Sequence, residues 1–338
     1  MTRSRLVFFA AMTVVVVGVA AGVGALWLSP ARAAVGPLVG EALILPADAK
    51  FVMGFDVKRF AASPFYERFK AQRGMKPEAL AELEAKTGLD PARDLDQIVV
   101  AGTGVRGTAG VAVALGHFDL YKLGRAIEAS GKAHGTSYEG VTVYNFSEES
   151  KQQLSLALVD ESTLVLGPTD QVTQALASRT RGETPLKTNT ALMARVEKIQ
   201  PGSTFWMVGD QSLLASLPTS IPAPGASAGG GSIALPSLVG LTVTGDLEPQ
   251  VSIAVTGEAR DAAAAKNLAD VVRGLVAMAS LQAAQKPELQ QLASAVSVAT
   301  EENRVLVSAR IPYETLDALQ PKRPQAVQST PEPAPTVR

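Results

Sequence analysis

Two stretches far apart in this chain can be written one beneath the other without a gap. FVMGFDVKRFAASP begins at Phe51 and FWMVGDQSLLASLP at Phe205, so Phe51, Met53, Asp56, Ala61 and Pro64 meet Phe205, Met207, Asp210, Ala215 and Pro218. Gly104 and Gly116 then meet Gly245 and Gly257, each pair bracketing a turn and a strand. Further on, LSLALVDESTLV from Leu154 lies over VSVATEENRVLV from Val296, sharing Ser155/Ser297, Ala157/Ala299, Leu164/Leu306 and Val165/Val307. The three blocks are collinear, at offsets of 154, 141 and 142 residues. Self-similarity in a fixed order points to an internal duplication. The chain is therefore expected to hold two related units, residues 44–185 and 199–319.

Hydrophobic periodicity gives each unit the same coarse layout. The first reads strand (Phe51–Asp56), helix, a second helix near Pro77–Lys86, strands near Gln97–Ala101 and Gly110–Gly116, and a helix from Asp119 with Leu120, Leu123 and Ile127 on one face. Strands near Val141–Phe146, Leu154–Val159 and Thr163–Gly167 follow, then a helix opened by Thr169-Asp170, residues suited to an N-cap. The second reads strand, short helix, two strands, a long helix from Asp261, two strands and a last helix near Tyr313–Leu319. In the long helix Leu268, Val271, Val272, Leu275 and Met278 form one stripe, with Lys266, Asp270 and Arg273 opposite. That stripe is expected to lie on a sheet. Antiparallel runs of strands between helices make the class α+β, with internally duplicated antiparallel sheets and packed helices.

The units differ in two places. The helix at Pro77–Lys86 is replaced by the segment Pro218–Pro236, with four prolines and four glycines, inside a stretch from Gln211 to Gly245 without a charge. That composition predicts a flexible loop. The hairpin TSYEGVTVYNF has no counterpart in the second unit, where a helical stretch from Pro287 stands instead.

Both ends lie outside this repeat. Arg3 and Arg5 precede an uncharged run, Leu6–Leu28, long enough as a helix to span about 35 Å, against roughly 30 Å of hydrocarbon. Basic residues before it and none soon after predict the N-terminus inside and the body outside. Ala31-Arg32-Ala33 has the form of a signal-peptidase site, but the run exceeds the usual ~7–15 residues of a cleaved apolar region. Residues 1–33 are thus read as a retained signal anchor in preference to a cleaved signal peptide. Either way the body is exported, to the periplasm if cleaved near Ala33. Gly18 and Gly22 make a GxxxG spacing, read as composition of an export segment. Residues 320–338 carry five prolines and are read as a disordered Pro-rich tail.

Composition removes whole classes of chemistry. The chain of 338 residues has 31 basic and 32 acidic side chains, which excludes binding a polyanion through bulk positive charge, and no nucleic acid is expected. Cysteine is absent and histidine occurs twice, so thiol chemistry and a multi-histidine metal centre are excluded. Gly102-Thr103-Gly104-Val105-Arg106-Gly107 fits GxGxxG after a strand. A dinucleotide site needs a helix there, and another strand follows, so the motif reads as a hairpin turn. His117 ends a strand and His134 lies in a polar turn, both read as exposed loop residues. Asp56 and Asp210, matched acids at the ends of matched strands, read as caps on the helices that follow. The sharper alternative is a cation or a shared proton between them across a pseudo-twofold axis. Asn145-Phe-Ser147 fits a glycosylation sequon and is given no weight. No catalytic, cofactor-binding or metal-ligating residue is assigned.

LPADAKFVMGFDVKRFAASPFYERF from Leu45, followed by GLDPARDLDQIVVAG from Gly88, resembles a group of uncharacterised bacterial exported envelope proteins. They open with a Leu-Pro-Ala-Asp turn, a strand ending in Asp and a helix. The resemblance covers the first third of the body and implies an exported or anchored, duplicated α+β protein with no known activity. The leading functional reading is a non-enzymatic binding or scaffold module outside a bacterial inner membrane, with the membrane as one partner and an envelope protein as the other. The alternative is a periplasmic carrier or chaperone for a hydrophobic ligand, with Pro218–Pro236 as a lid. A hydrolase comes third.

Overall fold

The computed structural model describes residues 38, 40–73, 77–103, 110–146, 153–215, 220–222, 232–234, 237–282 and 287–318. The apolar run Leu6–Leu28, the Ala31–Ala33 site, Gly18 and Gly22, Gly104, Gly107, Ser147 and the Pro-rich tail lie outside these residues. After a 3₁₀ turn at Gly40–Ile44 come β1 (Phe51–Asp56), α1 (Val57–Ala62), α2 (Pro64–Arg73), α3 (Pro77–Thr87), α4 (Pro91–Asp94), β2 (Leu95–Gly102) and β3 (Gly110–Gly116). Then follow α5 (Leu120–Ala129), β4 (Ala133–Tyr138), β5 (Val141–Phe146), β6 (Leu154–Asp160), β7 (Thr163–Pro168) and α6 (Thr169–Thr180). A second 3₁₀ turn (Pro185–Thr188) and α7 (Thr190–Val196) lead to β8 (Phe205–Asp210), α8 (Gln211–Leu214), β9 (Ser220–Pro222), β10 (Ser232–Ala234), β11 (Leu238–Asp246) and β12 (Val251–Ala259). The remainder is α9 (Ala262–Gln282), α10 (Pro287–Ser294), β13 (Val296–Glu301), β14 (Arg304–Ile311) and α11 (Tyr313–Ala318).

The class is α+β, built on one large antiparallel sheet. Twelve strands run in the order β13-β14-β12-β11-β8-β1-β2-β3-β7-β6-β5-β4. Separate sheets for the two units were the sequence expectation, and the strands instead form one. The reason is the pairing of β1 with β8, whose partly apolar strands are buried on both faces and leave neither edge free. In that pair Met53 faces Met207, Phe51 faces Gly209 and Phe55 faces Phe205. Just beyond the ladder, Asp56 N–H donates to the Thr204 carbonyl at 2.7 Å and Asp210 N–H to the Lys50 carbonyl at 3.0 Å.

Reading outward from Met53 and Met207, the two wings carry the same order of strands. Val100 of β2 and Val243 of β11 face the two methionines, and Ala112 of β3 and Val255 of β12 face those valines in turn. Leu166 of β7 and Val307 of β14 come next, then Leu156 of β6 and Val298 of β13. The register differs from the sequence alignment in two blocks. Gly102, not Gly104, faces Phe51 as Gly245 faces Phe205. Val307 shares its row with Leu166 rather than Val165, because β6 carries a register irregularity between Leu158 and Asp160 that β13 lacks. Beyond β6 the first wing adds β5 and β4, joined through Glu139 and Gly140, both at positive φ as a tight hairpin turn requires.

The first wing is covered on both faces. On one, Val52, Val99, Val113 and Val165 are wholly buried beneath α6 (Val172, Leu176), α7 (Leu192, Val196) and the first 3₁₀ turn. On the other, Leu123 and Ile127 of α5 pack on Ala114, Leu158 and Leu164. The second wing has α9 on that second face, with Ala265, Leu268 and Ala269 against Ala259 and Val305. Val271, Leu275 and Met278, read from sequence as one core stripe with Leu268, are only half-buried, and Leu281 is 77% exposed. α6 also departs from expectation. Its N-cap is Pro168 with no side-chain cap, and the Thr169 hydroxyl instead meets Ser155 Oγ at 2.7 Å. Within Pro218–Pro236, β9 and β10 pair antiparallel, so the segment holds regular structure where none was expected; its remaining residues lie outside those described.

Candidate interaction surfaces

Asp56 and Asp210 do not meet. Antiparallel pairing of their strands sends them to opposite ends of the seam, about 20 Å apart at ~3.4 Å per residue. Each caps the helix after its strand. Asp56 Oδ1 accepts from Arg59 N–H and Asp210 Oδ1 from Leu213 N–H, both at 2.9 Å. Burial pushes the Asp56 carboxyl above the usual carboxylate range, and the Arg59 N–H pulls it back. The shared cation or proton is therefore ruled out by distance.

The other singled-out residues also separate. His117 is an exposed side chain with Nδ1 4.0 Å from Asp96, which pairs with Lys58 Nζ at 2.5 Å. His134 lies in strand β4 rather than in a turn, facing Asn145 of β5. Gly102 ends β2 and pairs with Gly110 of β3, so the next described element after the start of the GxGxxG stretch is an antiparallel strand; residues 104–107 lie outside the described residues. Among the described residues there is no group of three or more acidic or histidine side chains placed to hold a metal ion. Among the described residues two shallow depressions hold about 70 Å³, beside Arg59, Ser63, Thr204 and Glu248, and about 10 Å³, beside Ile44, Gln171 and Pro185. Small-molecule sites usually need roughly 300 Å³ or more.

Two surfaces stand out instead, one on each face of the sheet. The first is a row of side chains that crosses all twelve strands on the α5/α9 face. It runs Gly135, Tyr144, Leu156, Leu166, Ala112, Val100, Met53, Met207, Val243, Val255, Val307, Val298. Its one polar atom is the Tyr144 hydroxyl, which donates to Glu128 of α5. Val100 and Met53 are buried, whereas Leu166, Ala112, Met207, Val243 and Val255 remain partly exposed. Beside it Phe60 gathers Phe55, Phe65, Tyr66 and Phe69, with ring centroids 5.3 to 6.3 Å away.

The second surface is the opposite face of the second wing. In the first wing this face is aliphatic and covered. In the second the corresponding positions are Thr242, Thr244, Ser252, Ala254, Thr256, Leu306 and Ser308, all partly exposed, with Ser297 and Ala299 exposed on β13. Hydroxyl-bearing β-formers suit a pleated surface that meets solvent, because each hydroxyl keeps its hydrogen bonds to water. At the rim Arg195 of α7 reaches across to this wing, with its guanidinium on Glu258 at 2.6 Å and on the Val239 carbonyl at 3.1 Å. That ion pair is 12% and 19% exposed. Sequence reasoning missed this face. The signal was the alternation of Thr and Ser in LTVTG and QVSIAVTG, where the first unit has Val and Ala.

No family model matches the chain, and no curated protein matches it. It is similar to two solved crystal forms of the protein TP0453. Form III gives a TM-score of 0.48 at 11% identity, covering 82% of this chain and 96% of that one. Form I gives 0.44 at 10%, covering 81% and 94%. Neither likeness assigns a role to a residue. No helix among the described residues is long and apolar enough to cross a membrane.

Proposed function

We propose that this chain is a non-enzymatic binding or scaffold module of a bacterial envelope, built from two copies of one α+β unit and held outside the inner membrane by Leu6–Leu28. The observation that carries the reading is the face of the second wing that no described element covers. A sheet face that the first wing hides under two helices is there hydroxyl-lined and partly exposed. A sheet face spread over four strands offers the contact area of a protein partner, whereas a small substrate needs an enclosing pocket. Export is supported by Arg3 and Arg5 ahead of the apolar run, and by the resemblance of Leu45–Phe69 to exported envelope proteins. An alkaline phosphatase fusion after Leu319 should be active, and the same fusion to a chain lacking Leu6–Leu28 should not. Activity without the apolar run would sink the export reading, and an intact mass lacking the first 33 residues would replace the anchor by a cleaved signal.

A second reading, a carrier for a hydrophobic ligand, is favoured by the apolar row through Met207, Val243 and Val255. Those side chains offer dispersion contacts and no hydrogen bond, as an aliphatic ligand would need. Mass spectrometry of organic extracts of the protein purified from its own host separates the two. One lipid per chain, lost on Val243→Lys, favours the carrier. Extracts without lipid leave the scaffold reading.

A further inference from the structure

The aromatic cluster on α1 and α2 is an apolar surface that neither the hydroxyl-lined face nor the Met207 row uses. On α2, Phe65 and Phe69 stand one turn apart and share a face. With Phe55, Phe60 and Tyr66 they make five aromatic side chains together, all partly exposed. α11 lies against this cluster. Phe65 packs against Val251, Ile311 and Tyr313, the Arg68 guanidinium sits 4.5 Å over the Tyr313 ring, and Arg68 also donates to Asp317 at 3.3 Å. The last described residue, Ala318, follows directly. Two acids flank this place. Glu314 on α11 and Glu248, whose charge acts on Tyr313, are both exposed and in no ion pair among the described residues.

We propose that the chain's own Pro321-Lys322-Arg323-Pro324 docks on this cluster as a polyproline helix. Three observations select it as the occupant. The first is where it is attached. At ~3.1 Å per residue a polyproline helix carries Pro321 about 9 Å and Pro324 about 19 Å beyond Ala318. Asp317 is already bonded to Arg68, which stands between Phe65 and Phe69 on α2, so the segment starts beside the rings. A segment tethered this closely meets them at roughly millimolar effective concentration. The second is chemistry. Prolines three apart lie on one edge of a helix with three residues per turn, and Pro-x-x-Pro segments are held by aromatic side chains because their backbone is already ordered. The third is charge. The other two edges carry Lys322 and Arg323, opposite in sign to Glu314 and Glu248. Glu67, 72% exposed, is already held by Lys70 and plays no part. The start of the Pro-rich tail is then a strap over α1 and α2, and not a free end.

The test uses the full chain in detergent, with a photo-crosslinking residue in place of Gln325, the position after Pro324. Illumination should give an adduct that stays at the single-chain mass of 35.1 kDa, and mass spectrometry of its digest should place the link within residues 57–73. Pro321→Ala/Pro324→Ala alters no residue of the described fold. It should keep its circular dichroism spectrum while the adduct falls at least fivefold. Lys322→Glu/Arg323→Glu should lower the adduct several-fold at low salt and less at high salt. Links to the hydroxyl-lined face, to α9 or to a second chain overturn the proposal. So does an adduct that either variant leaves intact, or the absence of any adduct within one chain.

Discussion

Gly54 lies opposite Trp206 across the β1–β8 seam, and the indole ring fills the space a side chain on Gly54 would need, 2.5 Å from an ideal Cβ. The same arrangement recurs on the other face of the second wing, where the Phe205 ring covers Gly245 at 2.0 Å. Each glycine makes room for an aromatic ring that closes the sheet where the wings meet. Gly54→Ala should therefore destabilise the protein by about 2 kcal/mol, the usual cost of overfilling a packed core. Trp206→Leu alone should cost about 3 kcal/mol by leaving a cavity. The double variant should lose less than the sum, and urea unfolding of the four proteins measures the coupling.

The second prediction concerns acid. Burial pushes the Asp94 carboxyl up, but the Arg93 guanidinium, bonded at 2.7 and 2.8 Å, and the Asp90 N–H at 2.8 Å outweigh it, so the group lies below its ordinary value of 3.8. A carboxylate depressed on folding contributes stability above its unfolded pKa, and that contribution is lost as pH falls through the folded value. Wild type should lose stability steeply below about pH 4. Asp94→Asn should be less stable at pH 7 and show a flatter acid limb in thermal melts taken from pH 7 to 3.

Much of this fold is legible in the sequence. The Phe51 and Phe205 blocks identify the two strands that pair at the centre, and the aspartates ending them cap helices as their chemistry suggests. The register of the next block is not legible, for a physical reason. Gly104/Gly116 and Gly245/Gly257 share a spacing of 12, and a slip of two residues keeps every side chain on the same face, so alternation cannot detect it. The one-residue slip at Leu164/Leu306 arises from the irregularity after Leu158, and irregular pairing leaves no mark on hydrophobic pattern. That the two wings share one sheet was also hidden, since the β1–β8 contact joins residues 154 apart in sequence. The surfaces were less legible still. The open face shows itself only once Thr242, Thr256 and Ser308, on three different strands, are known to be neighbours.

The third prediction concerns the tie between α7 and the second wing. Arg195 donates to Glu258, to the Val239 carbonyl and to the Ala191 carbonyl, and its guanidinium covers Gly240. Removing one member of a mostly buried ion pair strands the other, with Lys198 Nζ at 3.9 Å as the nearest substitute for Glu258. Arg195→Met should cost about 2 kcal/mol. Glu258→Gln, which keeps an acceptor, should cost about 1 kcal/mol. Equal losses for the two, measured by urea unfolding, would show that charge and not the carbonyl bonds holds α7 in place.

The central claim is that the open face of the second wing is the surface that binds. Photo-crosslinking residues placed singly at Thr244, Thr256 and Ser308, in the chain expressed in its own host, test it most directly. The same label at Asp170 and Gln174, exposed or partly exposed on α6 of the first wing, serves as the control. The account predicts that the three open-face positions give one shared covalent adduct with an envelope protein, and that the α6 positions do not. Adducts at Asp170 or Gln174 with none at Thr244, Thr256 and Ser308 would contradict it.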